Sequence, residues 1–502
     1  MIVDRRRLML RASVVVLAGS FATGCAIQPQ ELTPLESSNL ADNTIAGVNA
    51  DQQPITGSID IHEAVARALM FNLDHQVELA DMAVRESELE LAHYSLLPNF
   101  VANSGYIGRD NVNASSSQNA LTGIESLATS TSQDRRQKVA DATFSWNILD
   151  FGLSYVRARQ SADKVLVQNE LRRKVALRIV EDTRTAFWRA LSAQRLLKRL
   201  QGVEQQARSV EREARQLTAD KVSSPITSLT YEREIVDVQR TIGELQRELI
   251  AAKTQLGTLM NIIPGTPFTL AGGRAGPSSI PNQEMATLIH TAVMNRPELR
   301  EVAYRQRINE QEAHAALLEM LPGLNIYSGS NFDSNTFLLN NSWQGWGVKA
   351  TWSLLKVFSY PARSAVIEQQ DELLNKRALA ITMSIMTQVY VSRIRYAHSA
   401  KEHGVAQRYH DVQQRLVAQI RAESAAGRVT RQTLVREELN TLVAEAKLDI
   451  AHADLRSAHT FVLTSMGLTP DYSEAVQGSL QDAAALLRKG VPMQVASAEQ
   501  DK

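Results

Sequence analysis

The chain has 502 residues, 54 Lys plus Arg against 54 Asp plus Glu, a formal net charge of +0 and only 5% aromatic residues. That balance gives no footing for a nucleic-acid partner, which wants a basic patch, and a chain rich in Ala, Leu, Gln, Glu and Arg favours long helices over a thick core. No apolar run after residue 25 reaches the roughly 18 residues of a membrane helix, so any crossing of a bilayer would need strands closed into a barrel.

Arg5, Arg6, Arg7 and Arg11 precede a short apolar run over 14–19, the layout of an export signal. It ends at Ala22, Thr23, Gly24 and Cys25, the sole cysteine of the chain. The segment resembles a bacterial lipobox, with alanine where leucine is usual. The resemblance implies a signal peptide over 1–25 and a lipidated Cys25. With Ala26 and not aspartate next, it also implies sorting to the outer membrane. An ordinary signal with a chance cysteine, or a twin-arginine exporter, are the competing readings. One cysteine leaves no internal disulfide. One acyl anchor holds a protein only modestly, which calls for a second membrane contact. Residues 26–58, with Pro29, Pro34 and Pro54, read as an extended, mostly irregular linker.

The rest of the chain repeats itself, over 59–262 and 284–469, with a linker over 263–283 and a tail over 470–502. Asn72 within an apolar helical run, followed by Pro98, matches Asn295 followed by Pro322, offset by about 223 residues. Each opening run, 59–97 in the first repeat, reads as one helix. Phe144, Trp146 and Leu149 match Ala350, Trp352 and Leu355, and each match precedes a long helix, over 153–217 and from Pro361 to about Ala426. The first carries Ala190, Ala193, Leu197, Leu200, Val203, Ala207, Val210, Ala214 and Leu217 at spacings of three and four, a narrow seam for neighbouring helices. A turn and a shorter helix follow each time. The helix over 226–260 has a strict heptad stripe of Ile235, Val238, Ile242, Leu245, Leu249, Ala252, Leu256 and Leu259. The linker holds glycines over 271–276 but lacks the context of a phosphate loop.

Ahead of each long helix the pattern switches to period two. Ala140, Ala142, Phe144, Trp146 and Ile148 alternate with polar residues, as do Trp346, Val348, Ala350, Trp352 and Leu354. Such segments with aromatics near their ends suit a membrane barrel, with Phe144, Trp146, Trp346 and Trp352 facing lipid. Partner strands over 100–108 and 324–332 alternate poorly and rest on the repeat. The Ser- and Asn-rich stretches 109–135 and 335–342 suit outward loops. Four strands cannot close a membrane barrel alone, so the chain must oligomerise.

With Asn295, Arg296, Pro297, Glu298 and Leu299, the Leu-Pro after each opening helix, Phe144 to Gly152 ahead of a helix, and Phe187 and Trp188 within 183–197, the sequence resembles a TolC-family outer-membrane factor of the lipidated type. The resemblance spans about residues 59–468. It implies a fold that is mainly α with a membrane β-barrel: two tandem repeats, long coiled-coil helices forming an α-barrel, and four strands per chain in a trimeric twelve-stranded barrel. It implies a homotrimer in outer-membrane lipid, extending into the periplasm. Such a trimer passively conducts what an inner-membrane pump and a periplasmic adaptor (membrane fusion) protein hand over, as in multidrug efflux. A type I protein-secretion conduit, or a coiled-coil lipoprotein with no pore, are the alternatives.

The resemblance places aperture and adaptor docking at the two tips. In the second repeat Gly427, Arg428, Val429 and Thr430, followed by Leu434 and Val435, match the family pattern, with Arg431 beside them. In the first, Asp220, Lys221, Val222 and Ser223 stand there without a glycine. The aspartates that close the TolC aperture are replaced by Thr433, Arg436 and Ser228, so an electropositive closed end is expected. No nucleophile–base or metal motif is present, so no enzyme, cofactor or metal is expected. His403, His410, His452 and His459 are expected to be solvated.

Overall fold

The computed structural model describes residues 29–48, 50, 52–126, 128–219, 225–273, 280, 284–468 and 478–489. Cys25, Asp220, Lys221, Val222 and Ser223 lie outside the described residues. So do the side chains of Leu200, Val203, Ala207, Val210, Ala214, Leu217, Ser228, Ile235, Val238, Ile242 and Leu245. The residues up to Gln52 form one compact unit and those from Gln53 another.

In the first unit, helix α1 (Pro34–Gly47) stands where an irregular linker was expected. Its start is local chemistry. Thr33 Oγ1 accepts from Glu36 N, the Glu36 carboxylate accepts from Thr33 N at 2.8 Å, and Pro34 occupies the first turn.

The second unit runs α2 (Ile61–Phe71), α3 (Leu73–Tyr94), β1 (Asn99–Gly108), the short pair β2 (Ala114–Ser115) and β3 (Ser130–Thr131), β4 (Arg136–Asn147), α4 (Ile148–Ala219) and α5 (Pro225–Leu259). It continues with α6 (Met285–Asn295), α7 (Pro297–Leu318), β5 (Gly323–Asp333), β6 (Ser342–Thr351), α8 (Leu354–Ala425), α9 (Arg431–Ser465) and α10 (Leu480–Lys489). The duplication extends to lengths. The helices measure 11, 22, 72 and 35 residues in both halves.

Three boundaries differ from the sequence expectation. The opening helix breaks in each half, at Asn72 and at Arg296, so Asn72 is equivalent to Arg296 and not to Asn295. Both break residues are extended, with ψ near 125°. Pro297 forces this on Arg296 by steric clash. Asn72 instead caps α3, its side chain accepting from His75 N. The long helices also start earlier, at Ile148 and Leu354. Pro361 lies inside α8, where a missing N–H at the eighth residue forfeits one bond. Ile148 and Leu354 are thus first helical residues, and Trp352 falls just beyond β6.

The four long strands form one antiparallel sheet in the order β1-β4-β5-β6. The helices follow the same order. α3 and α5 pack on α4, α4 packs on α7 and α9, and α7 and α9 pack on α8. Phe187, Ala190, Leu191, Leu256, Met260, Phe268 and Leu270 form one core; Leu288, Ala292, Ile385, Val389, Val462 and Met466 form the equivalent one. The predicted linker thus contributes to a core, and Leu270 bridges to Ile59. The tail helix α10 buries Leu480, Ala483, Ala484 and Leu487 against Val65, Leu69 and Val180.

Candidate functional site

The sheet register sorts side chains into two faces. Residues directly opposite in an antiparallel pair share a face. Phe100 lies opposite Phe144, Phe144 opposite Ser328, and Ser328 opposite Trp346. Trp146 lies opposite Ile326, and Ile326 opposite Val348. One face therefore collects Phe100, Phe144, Trp146, Leu324, Ile326, Phe332, Trp346 and Val348. All are exposed, Trp346 at 82%. The other carries Asn99, Asn103, Asp141, Thr143, Asn325, Asn331 and Lys349, with Val101, Ile107, Tyr327 and Trp343 among them. The weak alternation of β1 and β5 comes from serines and glycines among their face residues, not from a different register. Trp352 leaves this set: its indole N–H donates to the Met320 carbonyl at 2.9 Å.

Both layers end at the same two borders. β1 follows α3 and borders the sheet; β6 leads into α8 and borders it on the other side. β1 and β6 each present an unpaired row of backbone groups along one side, among the described residues. The border helices carry exposed apolar stripes. Val77, Val84 and Leu91 recur on α3 at intervals of seven, and Leu229, Val236 and Ile250 follow the same frame on α5. On α8, Leu379, Met383, Met386, Tyr390 and Ile394, then Val405, Tyr409, Val412 and Leu416, are exposed at steps of three and four. These are coiled-coil seams with one side missing. Sequence reasoning looked for seams inside the chain and missed them; the heptad period was the available signal.

At the second tip, α8 ends in a Schellman turn. Gly427 adopts φ +69°, Gly427 N donates to Ser424 O and Arg428 N to Glu423 O, both at 3.0 Å. Thr430 then caps α9, accepting from Thr433 N at 3.3 Å, with its hydroxyl 3.0 Å from that of Thr433. Val429 is half-buried, and Val435 and Leu439 are buried behind the turn. Arg431 and Arg436 are exposed, while Arg428 pairs with Glu423 at 3.4 Å and Arg421 with Glu438 at 2.7 Å. Glu423, Glu437 and Glu438 thus stand among the arginines that the sequence singled out.

The expectation of solvated histidines fails for two of the four. His410 and His452 are buried. The His452 ring meets His403 at 5.7 Å and Trp188 edge-on at 5.8 Å, so it packs in the α4–α8–α9 interior.

No protein-family model and no curated protein matches the chain. Solved structures do. The CmeC outer-membrane channel of Campylobacter jejuni is similar at 12% identity and TM-score 0.63, over 89% of this chain and 95% of that one. The MtrE outer-membrane channel of Neisseria gonorrhoeae, in its open state, matches at 13% and 0.63, over 81% and 88%. The outer-membrane protein VceC of Vibrio cholerae matches at 9% and 0.61, over 81% and 96%. The chain therefore has the fold of these outer-membrane proteins, and its resemblance to the TolC family holds at the level of the fold.

Proposed function

We propose that this chain is an outer-membrane factor of the TolC family, a homotrimeric channel and periplasmic duct of an efflux system. The observation that carries the reading is the shared pair of open borders. A sheet and a helical layer that lack partners on the same two sides are completed together by a neighbour placed head to tail. Three copies would bring twelve strands into a closed barrel with the Phe144–Trp346 face toward lipid. The stripes on α3 and α5 would meet the stripe on α8 of the next copy. The sheet's polar face would line a water-filled passage, and cargo would move down its gradient, delivered by an inner-membrane pump through a periplasmic adaptor. Lipidation of Cys25 would add the second membrane attachment. The tip turns at Gly427–Arg431 and Asp220–Ser223 would dock the adaptor.

The test is assembly and conductance. Protein extracted from outer membranes should need detergent, run as a heat-sensitive trimer and produce ion steps in planar bilayers. Tyr390→Glu should leave the chain folded but monomeric. A monomer released without detergent that leaves liposomes tight to ions would overturn the proposal. At the tip, the arginine-rich aperture predicts weak cation passage. Marked cation selectivity unchanged by Arg436→Glu would remove that part alone.

A further inference from the structure

A cavity of about 450 Å³ lies between the start of α2, the middle of α4 and the end of α9, and no part of the proposed conduction path explains it. Its wall carries His62, Arg184, Arg456 and His459, four basic side chains from three helices, with Trp188 beside them. The one acid in the wall is Asp60. Its carboxylate is already engaged, accepting from His62 N at 2.9 Å, Glu63 N at 2.8 Å and the Arg488 guanidinium. Arg184 Nε is buried with no hydrogen-bond partner among the described residues. Arg456 stacks over the Trp188 ring at 5.0 Å. Burial first, and then the charge of Arg184, press the Arg456 guanidinium below its usual range. Arg184 and Arg456 thus lie close enough for their like charges to repel across the half-buried wall.

The wall is firmly built. Leu270 N donates to the side-chain oxygen of Gln194 at 3.2 Å while Gln194 Nε2 donates to Leu270 O at 3.0 Å. A Cβ at Gly272 would sit 2.8 Å from Leu191 Cδ2, so the backbone there rests directly on α4. None of its lining residues lies on α3, α5 or α8, the helices that carry the exposed stripes.

We infer that this cavity binds a small anion, a carboxylate or phosphate group, through the guanidinium groups of Arg184 and Arg456. Both present planar donor forks suited to either oxyanion, and a carboxylate or phosphate would satisfy Arg184 Nε. The histidines add donors, and Trp188 forms the apolar side against which the rest of the ligand would lie.

The experiment uses the full detergent-solubilised protein. Tryptophan fluorescence is followed while inorganic phosphate, and separately acetate, replaces chloride at constant ionic strength. A saturable change with at least one of the two is expected, and the tighter of them names the chemistry. Arg184→Gln should weaken the apparent affinity at least about tenfold. Arg189→Gln, one turn away and exposed, should leave it unchanged. Trp188→Phe should abolish the signal, which locates it even if the arginine variant does not fold. A change that never saturates, is equal in Arg184→Gln and Arg189→Gln, or survives Trp188→Phe overturns the inference, as does no change at all.

Discussion

The two halves of the chain make the same joint with different chemistry. In each, an 11-residue helix stops, one residue turns extended, and a 22-residue helix begins. In each, the side chain of the turning residue reaches the carbonyl end of the returning 35-residue helix. Asn72 Nδ2 donates to Leu259 O at 3.1 Å, and Arg296 Nη1 donates to Thr464 O at 3.3 Å. The backbone path and the bridge recur, while the residue that makes them does not. The first half uses a short amide that also caps α3. The second uses a guanidinium whose backbone is bent by Pro297 and whose remaining nitrogens hold Glu298 at 2.8 and 2.9 Å. What the two halves share is a place where the short helices are clamped to the long ones, by an amide in one and a guanidinium in the other.

That comparison breaks most visibly at the charged joint. Arg296→Ala removes the bridge to Thr464 and leaves the mostly buried Glu298 without its partner, so a loss of about 2–4 kcal/mol is expected. Asn72→Ala removes a cap and one neutral bond, at about 1–2 kcal/mol. Urea unfolding of the two variants side by side checks the order. Equal losses would mean that the joint is held by its packing and not by its bridge.

A second contrast separates interior from border. Glu312 on α7 sits between two long helices. Burial by itself would raise its carboxyl, but hydrogen bonds from Arg157, Gln160 and Arg363 outweigh that and hold it at about 2. Glu319 joins the same network through Arg363 at 2.6 Å. The equivalent residue on α3 is Glu88, which among the described residues pairs with Arg85 of its own helix, both well exposed. Glu312→Gln should cost about 1–2 kcal/mol, allowing for partial exposure, and Glu88→Gln under about 0.5. The sign in pH follows. Because the folded carboxyl is lowered, its contribution is complete above 4.5 and is lost as pH falls toward 2. An acid titration of stability in the Glu312→Gln variant should be flatter there.

Much of this was readable in advance, and the misses have physical causes. The two long helices announce themselves by long stretches poor in helix breakers with small residues at steps of three and four, and β4 and β6 by period two with tryptophans. The break at Arg296 was signalled by Pro297, whereas Asn72 sits in an apolar run with no proline or glycine, and a single cap decided the outcome. α1 escaped because the prolines around it read as irregular, while Thr33 and Glu36 three apart already spelled a capping box. The burial of His452 could not be read from its helix, since the ring that covers it, Trp188, comes from α4 far along the chain. The cationic cavity has the same character: residues 62, 184, 188, 456 and 459 meet only once three helices are in place.

At the remaining tip, Gly427→Ala tests the turn by itself. The space around Gly427 is open, so only the left-handed backbone resists a methyl group, and about 1 kcal/mol is expected. Thermal unfolding should register that small loss, and a loss of several kcal/mol would mean that the turn contacts more than itself.

The smallest expected effect again sets the two joints apart. His75 follows the break in the first half and is buried, its ring nitrogen 2.7 Å from Leu69 O. Burial lowers its pKa below 6.5; the Leu69 carbonyl opposes this and Arg172 adds to it. The equivalent residue in the second half is Leu299, which has no charge to gain. A lowered folded pKa means that the unfolded segment takes up the proton first. The first joint is therefore at full strength above 6.5 and loosens as pH falls below it, while the second has no histidine at the matching position. His62 at the other end of α2 is lowered in the same direction, chiefly by burial, and works with it. Hydrogen exchange measured at neutral and mildly acidic pH, corrected for the intrinsic rate, should show protection falling in 61–94 but not in 285–318. His75→Leu should copy the second joint into the first and remove most of the difference; equal loss of protection in both halves would show that acid acts on the assembly as a whole.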